Sequence, residues 1–393
     1  MSSAAQRLDG LLRGDLDALH ARSLYRVRRL VEGPQGAELL MDGRRYLNFS
    51  SNDYLGLAAH PALRDAARHA LDQYGVGSGA AHLITGHTRA HAALEEELAV
   101  FVQRPRALLF SSGYMANLGL AGALVSRGDC IVEDRLNHAS LLDAGLLCGA
   151  RFSRYTHADP AALRQRLTRP AKRTLVMTDG VFSMDGDLAP LPALARTAGA
   201  AGAFLMVDDA HGVGVLGDHG RGSLEHFALG MAEVPVLMGT LGKALGTCGA
   251  FVAGSDALIE SLIQHARTYI YTTAPPACLA EATRAALKLA QGESWRRAHL
   301  FRLIRHFRSG AAALGLPVMD SISAIQPLLL GDAQKAILIS DKLRAHGIFA
   351  AAIRPPTVPI GRARLRITLT AAHREEHIER LLAVLEQIVK HSR

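Results

Sequence analysis

The sequence predicts an α/β fold: a large domain on a mostly parallel sheet with helices on both faces, then a small C-terminal α+β domain. Three observations carry that prediction. Between about residues 61 and 255, short apolar runs alternate with segments of helical periodicity, the pattern of parallel strands joined by crossover helices. The runs end in polar or glycine-rich turns, and open α/β sheets bind ligands at the carboxyl ends of their strands. The last third changes to long amphipathic helices and short, separated strands.

Residues 1–45 read as an N-terminal helix and arm. Leu8, Leu11, Leu12, Leu16 and Leu19 recur at helical spacing, and the basic residues Arg22, Arg26, Arg28 and Arg29 follow. Segments 39–41 and 46–49, separated by Asp42-Gly43, predict a hairpin. It leads into Ser50-Ser51-Asn52-Asp53-Tyr54-Leu55-Gly56-Leu57, where the Asn52 amide either faces a ligand or closes an Asx turn.

The large domain is expected over 46–285, with strands at 107–110, 131–133, 175–178, 203–208, 234–238 and 249–253. Helical stretches at 90–102, 115–126 and 189–200 lie between them. The residues after each strand are the informative ones. Ser112-Gly113-Tyr114 opens an apolar helix, whose free N–H groups and dipole suit a phosphate. Asn137-His138-Ala139-Ser140 offers an imidazole that lies on a ring, or caps a helix. Asp179-Gly180-Val181-Phe182-Ser183-Met184-Asp185-Gly186-Asp187 is a polar connection. Asp208 ends an apolar strand, where a carboxylate is costly to bury without a cation or donor.

Two motif matches are set aside. Residues 212–217 fit the dinucleotide fingerprint G-x-G-x-x-G, but Asp208-Asp209-Ala210-His211 separates them from the strand and Asp218-His219-Gly220 follows where a helix should run. Gly242-Lys243 is no P-loop, because Leu237 stands where that motif needs glycine and Ala244 where it needs Ser or Thr.

Lys243 is nevertheless the lysine to explain. It sits in Gly239-Thr240-Leu241-Gly242-Lys243 at the end of an apolar run, whereas Lys172, Lys288, Lys335, Lys342 and Lys390 lie in polar or amphipathic surroundings. Desolvation lowers the proton affinity of a buried ammonium, and a neutral amine attacks carbonyls to form a Schiff base. A Schiff-base lysine, a strand-end carboxylate and a phosphate-binding helix terminus with histidines nearby match the needs of pyridoxal 5'-phosphate.

The small domain is expected over 286–393, with helices from about 278 to 313, strands at 325–330, 348–353 and 364–369, and a terminal helix at 373–390. Over all 393 residues, 49% are hydrophobic and 20% charged, the balance of a folded globular chain. No apolar run approaches the ~18 residues of a membrane span. The first residues lack the apolar core of a secretory signal, so the expected location is the cytoplasm. The four cysteines are far apart and read as core residues, neither disulfide framework nor metal site. A net charge of +8 suits an anionic partner, but the arginines are scattered without aromatic interleaving, which argues against nucleic acid.

Over nearly its whole length the chain resembles the α-oxoamine synthases, pyridoxal-phosphate enzymes of the aspartate aminotransferase fold type. The likeness runs through residues 47–57, 180–187, 207–212, 239–243 and 352–359, and 324–327 with 353–359 favour the branch that condenses L-alanine with a pimeloyl thioester in biotin biosynthesis. The resemblance implies that Lys243 holds the cofactor covalently and shuttles the α-proton, that Asp208 pairs with the pyridine nitrogen and that His138 stacks on the ring. His211 and Ser183 would lie at its phenolic oxygen, with Thr240 and the Gly113-Tyr114 backbone completing the site. Asn52 and Arg366 would hold the amino-acid carboxylate, and His138, Arg26 and Thr357 would also contact substrate. Thr272 and Thr273 match a segment that reaches a neighbouring subunit's phosphate, implying a homodimer. The substrates implied are L-alanine and pimeloyl-CoA or pimeloyl-carrier protein; no metal, nucleic acid or membrane is called for. Sister activities such as glycine C-acetyltransferase, or a non-catalytic scaffold on the same fold, are the alternatives. Ala80-Ala81-His82 departs from the further glycines of many relatives, and Tyr114 stands where phenylalanine is frequent.

Overall fold

Residues 3–390 are described by the computed structural model. The central sheet has seven strands: β3 Arg106–Phe110, β4 Cys130–Asp134, β5 Arg151–Tyr155, β6 Thr174–Asp179, β7 Phe204–Asp208, β8 Val236–Thr240 and β9 Ala250–Gly254. Two short strands precede them, β1 Glu38–Met41 and β2 Arg44–Asn48. Four follow: β10 Ile325–Gly331, β11 Ile348–Phe349, β12 Ala351–Ile353 and β13 Ala363–Thr368.

The order across the central sheet is β3-β9-β8-β7-β6-β4-β5. All neighbours run parallel except β9, which is antiparallel to both β3 and β8. Alternate residues point to opposite faces, and both faces are covered. Val176, Val207 and Leu237 pack in one apolar cluster, and their chain neighbours Leu175, Met206 and Val236 in the other. Each such fully buried side chain contributes roughly 1.5–3 kcal/mol. That is why these strands show as apolar runs, and why every polar residue at their carboxyl ends needs a partner.

The strands expected from the sequence are present within a residue or two, except that 348–353 is split into β11 and β12, which join different sheets, and β5 was not expected. β5 is the sheet edge; its Arg151, Phe152, Ser153 and Arg154 are exposed or half-buried and only Tyr155 is buried. An edge strand carrying charge resists edge-to-edge pairing and lacks an apolar run by which to be recognised.

Outside the sheet, β1 and β2 form the expected hairpin, and β2 also pairs in parallel with β11, which ties the N-terminal hairpin to the C-terminal third. β2 runs across the 45/46 boundary expected from the sequence. β10, β13 and β12 form a separate antiparallel sheet. Helices Ala277–Gly292 and Trp295–Ala313 bridge the two regions in sequence, and Glu375–Lys390 ends the chain. Residues 212–217 make consecutive turns with no helix, as the failed fingerprint context predicts. Their glycines have local reasons: a Cβ at Gly212 would run into the Asp209 carboxylate, and Gly214 holds φ 86°. Among the described residues, no helix is long and apolar enough to cross a membrane.

Candidate active site

The parallel strands end together, and their ends build the site. Asp179 and Asp208 terminate β6 and β7 in direct register, and Asp208 is also paired with Met238 of β8. Thr240 ends β8, and the turn after it carries Lys243. A cavity of about 180 Å³ opens there, lined by Gly113, Tyr114, His138, Asp208, His211 and Lys243, with Thr240 on its wall. Seven residues singled out in the sequence thus share one space.

Lys243 is half-buried, and loss of solvent pushes its amine down to about 8 against the pull of the Asp208 and Asp179 charges. Lys172, Lys288 and Lys335 are exposed and Lys342 is half-buried; the Lys390 side chain lies outside the described residues. Nζ of Lys243 is 2.8 Å from His211 Nε2. Burial, then the positive charges of Lys243 and Arg366, hold His211 well below the ordinary imidazole range, so its ring is neutral.

Asp208 is 3% exposed and fully partnered: Oδ1 accepts from the Ala210 N–H at 3.0 Å and Oδ2 from Asn117 Nδ2 at 2.8 Å. Asn117 also donates to Ser140 Oγ at 2.8 Å. Asp179 accepts from the His138 N–H at 2.7 Å; burial, and then the neighbouring Asp208 charge, raise its pKa well above the usual carboxylate range. His138 both caps helix Ala139–Leu147, accepting from the Ser140 N–H, and opens onto the cavity. The capping reading holds, and the same residue borders the cavity. Helix Gly113–Leu124 presents its first turn at the cavity, with Ser112 as its cap.

A second group lies next to the first. Arg366, delivered by β13, donates from Nη1 to Asn52 Oδ1 at 3.1 Å and from Nε to the Ser183 carbonyl at 2.5 Å. Ser183 is therefore held by its backbone, on the loop between β6 and helix Leu191–Ala200. That loop is clamped twice more. Arg364 reaches Asp185 at 2.8 Å, and His157 bridges Asp134 at 3.0 Å and Asp187 at 2.8 Å. Burial alone would lower His157, but its hydrogen bonds and charge contacts with Asp134 and Asp187 prevail and raise it to about 10.

Four predicted residues lie apart. Arg26 and Thr357 are exposed and line neither group. Their segments are joined by Arg354, which donates to the Ser23 and Tyr25 carbonyls beside a groove of about 440 Å³. Thr273 makes a β-bridge to Ala81, with Thr272 beside it, and neither lines the lysine's cavity.

Asn117, Asp179 and Tyr54 were not singled out from the sequence. Asn117 sits inside an apolar helical pattern, where a single amide is the only signal. Tyr54 is 1% exposed and links the two groups: its hydroxyl is 2.6 Å from His211 Nδ1 and 3.2 Å from Asn52 Oδ1.

Elsewhere His82, His87 and His91 bring ring nitrogens within 4.8 Å of one another. His91 has no nitrogen to spare: Nδ1 accepts from the Thr88 N–H at 3.1 Å, and Nε2 donates to the Pro275 carbonyl at 2.8 Å.

The sequence matches the family described as aminotransferase class I and II over residues 44–385. It is 65% identical over 376 residues to 8-amino-7-oxononanoate synthase of Nitrosococcus oceani, covering 95% of this chain and 100% of that protein. It belongs to the 8-amino-7-oxononanoate synthase family. The enzyme of that name from Thioalkalivibrio sulfidiphilus is 59% identical, with 97% of this chain and 98% of the relative covered. Among solved structures, serine palmitoyltransferase from S. paucimobilis with bound PLP-myriocin aldimine superposes with a TM-score of 0.91 at 28% identity, covering 98% of each chain. The 8-amino-7-oxononanoate synthase of Francisella tularensis superposes with a TM-score of 0.78 at 34% identity, covering 88% of this chain and 98% of that one. The fold class expected from the sequence is thereby established, as is the α-oxoamine synthase resemblance.

Proposed function

We propose that this chain is a pyridoxal-phosphate-dependent acyltransferase that condenses L-alanine with a pimeloyl thioester, carried on CoA or on a carrier protein, and releases carbon dioxide and 8-amino-7-oxononanoate. The observation that carries the reading is the amine of Lys243 in one cavity with Asp208, His138, His211 and a helix N-terminus. That donor set fits the cofactor. The lysine amine takes its aldehyde, Asp208 its ring nitrogen, and the first turn of helix Gly113–Leu124, with Thr240, its phosphate. When bound, the pyridinium ring supplies an electron sink for the α-carbon of the amino acid.

The chain's own residues supply the rest. A Lys243 amine lowered to about 8 is free often enough at neutral pH to take and return the α-proton. Asp208, held by Asn117 and Ala210, keeps its carboxylate aimed at the ring nitrogen. His138 would cover one face of the ring, and His211, with Ser183 nearby, would stand on its phenolic side. Arg366 and Asn52 form a fork suited to the alanine carboxylate, orienting the α-hydrogen toward Lys243.

Arg26 and Thr357 are read as contacts of the acyl donor, on the groove closed by Arg354. Thr272 and Thr273 are read as reaching the phosphate of a second subunit in a homodimer. Val76, Ile84 and Tyr271, which are 78%, 75% and 71% exposed near the Ala81–Thr273 bridge, are apolar surface that such a partner would cover. The division into 1–45, 46–285 and 286–393 is kept as the working domain scheme, and the cytoplasm as the working location. The test offers alanine, glycine and serine against pimeloyl-, acetyl-, succinyl- and palmitoyl-CoA and follows thiol release. Preference for alanine with pimeloyl-CoA supports the reading; preference for another pair moves the chain to a sister activity.

A further inference from the structure

Tyr54 joins the carboxylate fork to the lysine, and the manner of its bonding fixes more than position. Its hydroxyl carries one proton and has two acceptors in reach, His211 Nδ1 at 2.6 Å and Asn52 Oδ1 at 3.2 Å. Asn52 Oδ1 already accepts from Arg366 at 3.1 Å. An imidazole nitrogen is the stronger acceptor, and the shorter distance lies on that side. A ring that accepts at Nδ1 must carry its own proton at Nε2.

We propose that Tyr54 is a positioning residue that holds His211 as the Nε2–H tautomer, so that a donor, and not a lone pair, faces the Lys243 amine. A donor at 2.8 Å from Nζ is compatible with a neutral amine and opposes an ammonium. The same N–H is what a phenolic oxygen on that side of the cavity would accept. The inference rests on the function proposed above, in that it assigns the device keeping the nucleophilic amine unprotonated. The other charges facing Lys243 are Asp208, Asp179 and Asp209, which favour its proton, and Arg366, which opposes it. His138 faces both Lys243 and His211 and, with burial prevailing, is itself shifted down. None of these touches His211 Nδ1, whose partner is Tyr54, while Lys243 itself is the partner at Nε2.

The test uses the full chain freed of cofactor, so its outcome is independent of whether the condensation reading holds. The ring nitrogens of His211 are read by 15N NMR, assigned against His211→Asn, and the pH midpoint of Lys243 is read from its rate of capturing pyridoxal phosphate. Wild type should show a protonated Nε2 and a bare Nδ1. Tyr54→Phe should lose that pattern, let a lone pair face the ammonium and raise the Lys243 midpoint by about one pH unit, the size of one charge-assisted hydrogen bond. Incorporation of 3-fluorotyrosine at position 54, which keeps the hydroxyl and nearly the same volume, should retain the wild-type pattern and midpoint. A protonated Nδ1 in wild type overturns the proposal. So does an unchanged midpoint in Tyr54→Phe, or a fluorotyrosine protein that behaves like Tyr54→Phe, which would make the effect one of packing.

Discussion

Two clusters of titratable side chains invite comparison: Tyr54, His211 and Lys243 at the strand ends, and His82, His87 and His91 before and within helix Arg89–Phe101. The first holds one imidazole and the second three, and in both burial pulls the rings below their usual range; His82 falls to about 3. They differ in where their hydrogen bonds end. The first chain of bonds runs from Arg366 and Asn52 through Tyr54 and His211 and stops at an amine facing open space. The second ends partly on backbone, His91 being bonded to Thr88 and Pro275, while His82 is bonded to His87 at 2.9 Å and stacked on Tyr269 with its Nε2 buried and unbonded, away from the lysine's cavity. Proximity of ionisable groups does not make a reactive site; an unspent lone pair aimed into a cavity does.

The comparison can be broken most severely at its reactive end. Lys243→Ala should cost more than about 1000-fold in turnover, as loss of a proton-transferring group and the covalent anchor together demand, and steady-state assay of thiol release measures it. Asp208→Asn should retain the fold and bind cofactor, yet exchange the α-proton of alanine roughly 100-fold more slowly, read by deuterium uptake. A neutral amide does not stabilise a protonated ring nitrogen, and its NH₂ would oppose the Asn117 NH₂. Exchange at the wild-type rate would show that Asp208 has another role. Arg366→Leu should act mainly on binding, raising the KM for alanine by roughly 10- to 100-fold, the worth of a charged hydrogen-bond pair. Because Arg366 also holds the Ser183 carbonyl, some loss of kcat accompanies it.

The other cluster should answer in stability alone. His91→Ala removes a cap and a bond to Pro275 from a fully buried side chain, so denaturant unfolding should show a loss of about 1–3 kcal/mol with kcat within about twofold. A large kcat loss at unchanged stability would erase the distinction between the clusters.

Much of the reactive end was legible because burial leaves a mark in sequence. Asp208 and Lys243 stand at the ends of runs that are otherwise wholly apolar, and a polar residue there asks for a reason. Helix Gly113–Leu124 declared its ligand-facing end through Ser112-Gly113. What was not legible depends on chain crossing over long separations. Tyr54 and His211 are 157 residues apart, and nothing local to Asn52-Asp53-Tyr54 says that the phenol rather than the amide reaches the imidazole. Ser183 and Arg366 were expected from resemblance, but their direct bond spans 183 residues and joins a large-sheet loop to β13. β5 escaped because an edge strand needs no apolar run, and the pairing of β2 with β11 because strands this short carry no signal of partner. Nothing in the sequence singles out His157, and only the fold shows it between Asp134 and Asp187.

The central claim is that Lys243, alone among the lysines, is a nucleophilic amine in the cofactor's cavity. Borohydride reduction of the purified protein loaded with pyridoxal phosphate, followed by peptide mapping, tests it most directly. The account predicts a single stable adduct on Lys243. An adduct on Lys172, Lys288, Lys335, Lys342 or Lys390 in its place, or no adduct at all, would contradict it.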